Sequence, residues 1–178
     1  MAEITRVEPA DFDWADEDGP AAVVRRVDRA CRATDGAPQL NEQATLGLKR
    51  RGLAGAALWL AGDAGFALRH GDQLDLAVAP DERGRGAGTA LATAALAGMS
   101  KVDAWSHADH PAAARLADRF GVPRARELRI MELPAEVPLP QVAAPAGVVV
   151  RTFRPGDEEA VLEVNAAAFA HHPEQGGL

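Results

Sequence analysis

The stretch from Leu74 to Ser100 constrains the fold more than any other part of the chain. It reads LDLAVAP, then DERGRGAG, then TALATAALAGMS: an apolar run closed by Pro80, a glycine-rich loop and an alanine-rich segment. The pattern predicts a strand over 74–78, a loop, and a helix that starts inside the loop. A helix beginning there leaves its first backbone N–H groups without intrahelical partners, aimed into the loop. With the helix dipole adding partial positive charge, and Arg83 and Arg85 flanking the turn, the place suits an anion such as a pyrophosphate. Gly84, Gly86 and Gly88 let backbone approach that anion with no Cβ in the way. A solvated Gly/Arg turn is the plain alternative. A dinucleotide fingerprint fits poorly, because after Gly84-x-Gly86 its third glycine would fall at Thr89, and nothing before Leu74 offers a βαβ opening.

At 178 residues the chain can bury one good core, or one core plus a fragment. A net charge of −7 argues against a nucleic-acid footprint. No apolar run approaches the roughly eighteen residues a membrane span needs. The acidic start, MAEITRVEPADFDWADEDGP, lacks the basic and apolar regions of a signal peptide, so a cytoplasmic protein is expected. With Cys31 the single cysteine, no internal disulfide can form, and Cys31 reads as a small packing residue.

Val23, Val24, Val27, Ala30 and Cys31 recur at helical spacing and predict a helix over 19–34, stopped by Asp35 and Gly36. A second helix follows in NEQATLGLKR, with Glu42 in its first turn and basic residues before Gly52; on spacing alone Glu42 reads as an acid favoured by the helix dipole. Apolar runs at 56–60 and 65–70, joined through Gly62 and Asp63, predict a hairpin, with the strand over 74–78 beside it. After the central helix come expected strands at 102–107 and 125–133, with a helix at 110–120 between them. The order is that of an α/β fold, with ligand beyond the carboxyl end of the 74–78 strand. A stiff Pro/Ala-rich linker at 134–147 separates residues 1–133 from a strand at 148–152 and a helix at 157–170, about 30 residues that cannot bury a core of their own.

The loop resembles the acyl-CoA loop of the GNAT acetyltransferases, whose pattern of Arg or Gln, two residues, Gly, one residue, then Gly or Ala is met by Arg83, Gly86 and Gly88. A second resemblance lies in HPAAARLADRFGV from His110 to Val122, in register with the family's fourth helix. There Ala117 replaces the tyrosine that often serves GNAT enzymes as general acid, and the chain has no tyrosine at all. The segments DGAPQLNEQ, DLAVAPDERGRGAGTA, RELRIMEL and NAAAFAHHPEQGG extend the likeness, over nearly the whole chain, to the tandem GNAT enzymes that complete mycothiol.

That resemblance implies a GNAT fold, a mixed sheet flanked by helices, in residues 1–133, followed by the truncated start of a second GNAT domain at 148–178. It implies acetyl-CoA as acetyl donor, with the peptide groups of Leu76, Ala77 and Val78 on the pantetheine arm. Arg83, Gly84, Arg85, Gly86, Ala87, Gly88 and Thr89 would surround the pyrophosphate. It further implies transfer to the cysteinyl amine of a cysteine–glucosamine–inositol pseudodisaccharide, with Glu42 and Glu174 holding that substrate, no metal, and a monomeric full-length enzyme. In the family the second domain carries the productive chemistry, so this chain is expected to bind acetyl-CoA with little turnover. A noncatalytic acetyl-CoA-binding or regulatory module is the alternative. Among other chemically capable residues, Asp75 reads as a solvent-facing strand residue. His107, Asp109 and His110 read as structural, and His171 and His172 as a loop beside the substrate rather than a metal site.

Overall fold

The computed structural model describes residues 3–140, 143 and 145–171. It falls into two compact units, residues 1–128 and 129–178, taken separately below. In the first unit, four strands form one sheet in chain order: β1 (Thr5–Val7), β2 (Ala56–Leu60), β3 (Gly65–His70) and β4 (Gln73–Val78), each antiparallel to its neighbour. Helices α1 (Pro20–Asp35) and α2 (Glu42–Arg51) precede the β2–β3 hairpin, and α3 (Ala87–Leu96) and α4 (Pro111–Phe120) follow β4.

The two-residue period of the strands sorts their side chains onto two faces. Leu58, Phe66, Leu68 and Ala77 pack with Val24, Val27 and Cys31 of α1 and with Ala44 and Leu48 of α2. On the opposite face Trp59, Ala67 and Leu74 pack with Leu91 and Ala95 of α3. Phe66, Leu58, Leu68 and Leu91 are fully buried, each contributing about 1.5–3 kcal/mol relative to leaving it in water. Pairing of β3 with β4 requires Gly65, since a Cβ there would sit 2.5 Å from the Ala77 carbonyl oxygen.

Local signals set the helix ends as the sequence leads one to expect. Pro20 opens α1 and Gly36, at φ 76°, closes it by donating to the Arg32 carbonyl. Asn41 caps α2 by accepting from the Ala44 N–H at 2.7 Å, and Gly52 ends it. Between them, one oxygen of Asp28 accepts from the N–H groups of Gln39 and Leu40 at 2.6 and 3.0 Å, which fixes the path from α1 into α2.

Three expected strands are absent from the described structure. The 102–107 segment makes a single parallel bridge, Gln73 with Asp103, and then leaves the sheet. The 125–133 segment forms no strand, and Ile130 and Met131 are 93% and 91% exposed. In the second unit 148–152 is likewise unpaired, with Val150 84% exposed. Each has the β-branched or alternating composition of a strand, but a strand is made by a continuous ladder, and apart from the single Gln73–Asp103 bridge none of the three joins the described sheet. The second unit's helix, α5 (Glu158–Ala168), is present, and Asp157 before it takes both forks of Arg151 at 2.6 and 2.7 Å. Among the described residues no helix is long and apolar enough to cross a membrane.

Candidate functional site

The site begins at the outer edge of β4. Peptide groups alternate in direction along an antiparallel strand, so Leu74, Leu76 and Val78 turn theirs away from β3. Leu74 donates to the Asp103 carbonyl at 2.9 Å, and Asp103 donates to the Asp72 carbonyl at 2.8 Å. Beyond that bridge the neighbouring segment diverges, and the N–H and C=O of Leu76 have no partner among the described residues. The gap between the two holds a cleft of about 420 Å³, within the first unit.

The floor of the cleft is the loop that the sequence singles out. Gly84 and Gly86 have φ of 78° and 89°, the left-handed region that a side chain disfavours, and together they curl the chain so that α3 starts at Ala87. Gly86 is the N-cap of α3 and offers no side chain to its first N–H groups. Residues 76–78, Arg83, Gly84 and 86–89 all line the cleft. Arg85 does not: it is exposed and paired with Glu82 at 2.7 Å.

Arg83 is placed otherwise than its position in the loop suggests. Its guanidinium turns back onto α1, where Nη1 and Nη2 donate to the two oxygens of Asp35 at 2.8 and 2.5 Å. Nε donates to the Val78 carbonyl at 3.1 Å, and Nη2 also reaches Cys31 Sγ at 3.4 Å. Asp35 is 9% exposed, and the guanidinium beside it holds its carboxyl below the ordinary value. Arg83 therefore ties the loop to the end of α1, and its charge is matched before any ligand arrives. Sequence reasoning missed Asp35, which reads there as part of a helix stop; its partner lies 48 residues away.

Cys31 is buried and donates to the Val78 carbonyl at 3.4 Å, and burial pushes its thiol up, so the packing reading of this residue stands. His110 caps α4: its Nδ1 accepts from the Ala112 N–H at 3.1 Å, while Nε2 lies 3.2 Å from Arg83 Nη1. Asp109, with the single non-glycine positive φ among the described residues, 47°, ion-pairs with Arg124 at 3.3 Å. Asp75 does not face solvent as expected. It lies opposite Leu68 in the sheet, its side chain 10% exposed, with Oδ2 3.5 Å from His70 Nε2. Burial raises its carboxyl, and the nearby His70 and His107 oppose that rise. Glu42 is exposed in the first turn of α2 and does not line the cleft. Glu174 and His172 lie outside the described residues, and His171 is exposed. Ala117 sits half-buried on α4, beside the cleft residue Leu116.

Residues 44–122, from α2 through α4, match the family described as Acetyltransferase (GNAT) family. The chain is also similar to proteins named mycothiol acetyltransferase. It is 51% identical to that of a Nocardioides species over 88% of this chain and 54% of the relative. Against that of Thermobispora bispora the identity is 47%, over 89% and 57%, and against that of Saccharomonospora viridis 44%, over 92% and 59%. The chain thus spans a little over half the length of the curated relatives it matches.

Proposed function

The chain belongs to the GNAT acetyltransferase family through residues 44–122, and from that premise we propose that its cleft binds acetyl-CoA as part of a mycothiol acetyltransferase. The observation that carries this reading is the open edge of β4 at Leu76, running directly into the glycine loop and the uncapped start of α3. A pantetheine arm has amides that can pair with the Leu76 peptide as an added strand would, and the loop N–H groups suit the pyrophosphate that follows it. Leu76, Ala77 and Val78 would hold the arm, and Gly84 to Thr89 the pyrophosphate. The two arginines are set apart by their ion pairs: Arg83 would shape the loop and Arg85 would stand outside it.

The acceptor in this proposal is the cysteinyl amine of the cysteine–glucosamine–inositol pseudodisaccharide. The amine must arrive as free base and attack the thioester carbonyl carbon; the nitrogen, cationic after attack, sheds a proton, and the oxyanion collapses and breaks the C–S bond, expelling the CoA thiolate, which takes up a proton. Ala117 supplies no such proton, and the chain holds no tyrosine to replace it. That absence favours the second reading, a module that binds acetyl-CoA but turns it over poorly, with a further domain completing the enzyme. Calorimetric titration of the chain with acetyl-CoA, beside an assay of thiol release with the pseudodisaccharide present, tests both. Saturable one-site binding with thiol release well below that of a full-length relative is the expected result. Absence of binding would end the acyl-CoA reading, and release matching the relative would end the binding-only one.

Glu42 and Glu174 are proposed as contacts to the polar acceptor; Glu42 does not line the acetyl-CoA cleft. In a protein that includes the remaining length of the relatives, Glu42→Ala should raise KM for the pseudodisaccharide about tenfold, one lost charged hydrogen bond, and leave KM for acetyl-CoA unchanged. An unchanged KM for the pseudodisaccharide would return Glu42 to a helix-start role.

A further inference from the structure

The cleft has a charge pattern that the loop motif does not account for. Its lining carries two carboxylates, Asp35 and Glu82, and each is held by an arginine of the loop, Arg83 and Arg85 respectively. The cations that the sequence offers to an anion at the loop are therefore already neutralised. Two other arginines line the same cleft, Arg115 and Arg119 on α4, and among the described residues neither side chain has an ion pair or hydrogen bond.

Their placement is specific. They stand four residues apart and so lie one above the other on the same helix face, where like charges repel unless something negative sits between them. Arg119 falls in the last turn of α4, where the helix dipole favours a cation; Arg115 has no such support. Asp118, three residues after Arg115, makes no ion pair with it among the described residues and does not line the cleft. Leu116, next to Arg115, has its Cδ1 3.6 Å from where a Cβ on Gly88 would be, so this part of α4 is packed against the first turn of α3. Both arginines accordingly belong to the wall that α4 contributes to the cleft, beside the anion loop.

We infer that Arg115 and Arg119 read a second phosphate, the 3′-phosphate on the ribose of an acyl-CoA. This rests on the acyl-CoA reading of the cleft and adds a choice among ligands that share the pantetheine and pyrophosphate. Backbone N–H groups of the loop serve the pyrophosphate, which leaves the ribose phosphate as the ligand's one remaining anionic group. A phosphate monoester presents three terminal oxygens, and two guanidinium forks can each take two of them in parallel hydrogen bonds. The pair thus makes the site one for 3′-phosphorylated acyl-CoA over its dephosphorylated form.

The experiment titrates acetyl-CoA and 3′-dephospho-acetyl-CoA into the wild-type chain and the double variant Arg115→Gln, Arg119→Gln. Both side chains are exposed, so the variant keeps the fold, and a thermal melt checks this. The wild type should bind acetyl-CoA at least about tenfold more tightly than the dephospho form, the scale of one charged hydrogen bond. In the double variant the two ligands should bind alike, at the affinity the wild type has for the dephospho form. Equal affinity of the wild type for both ligands overturns the inference, as does a variant that loses the same factor on both, which would assign the arginines to the pyrophosphate. Failure of the wild type to bind either ligand overturns the acyl-CoA reading itself, a different result from the other two.

Discussion

Gly86→Asp should weaken acetyl-CoA binding by about a thousandfold while leaving the chain folded. The charge term is the larger: a carboxylate about 4 Å from a phosphate near a protein surface costs roughly 4 kcal/mol. Gly86 lies at the turn where the first N–H groups of α3 converge, so an aspartate there competes for the donors that a pyrophosphate needs. The fold term is smaller. At φ 89° a side chain is strained, at a cost of about 1–2 kcal/mol, but an added Cβ meets nothing within 4 Å, and aspartate tolerates this region better than most residues. Gly86→Ala separates the two terms, since it carries the strain without the charge and should lose no more than about tenfold. Calorimetry on the three proteins, with melting curves to confirm folding, measures both. If the aspartate variant binds acetyl-CoA as the wild type does, the phosphate is not at this loop.

Much of this site was legible in the sequence because its signals are local. Pro80 closes the strand, a glycine-rich loop follows, and the alanine run continues as a helix; all three are present as read, and the left-handed φ of Gly84 and Gly86 is what the structure adds. The hairpin and both early helices follow for the same reason, with their stops at Gly36 and Gly52. What sequence could not supply is the identity of partners. Arg83 reads as a phosphate ligand until α1 brings Asp35 to it, and Asp75 reads as a surface residue until its place opposite Leu68 buries it against His70. The segments at 102–107, 125–133 and 148–152 have strand composition but, the single Gln73–Asp103 bridge apart, do not join the described sheet, and composition does not report pairing. The short strand β1 was missed for the opposite reason: three residues are too few to establish a period, and β2 recruits them.

Asp35→Ala should lower the stability of the first unit by about 3 kcal/mol, because it strands the Arg83 guanidinium at a site where water reaches it only in part. Two charge-assisted hydrogen bonds disappear at once, and with them the tie between the end of α1 and the anion loop. For a unit of this size the loss should appear as a drop of about 10 °C in melting midpoint. The double variant Asp35→Ala, Arg83→Ala removes the stranded charge and should recover part of that loss, giving a coupling energy of about 2 kcal/mol. The pH dependence fixes the cause. Arg83 holds the Asp35 carboxyl below its ordinary value, so the pair's contribution is complete above that value and is lost as pH falls through the lowered one. The gap in stability between wild type and Asp35→Ala should accordingly close as pH falls below about 4. A gap that does not close below about pH 4, or a loss under about 0.5 kcal/mol at neutral pH, would make this an ordinary surface pair. The clamp would then have no part in setting the loop, and the curl of Gly84 and Gly86 would have to hold the anion site open unaided.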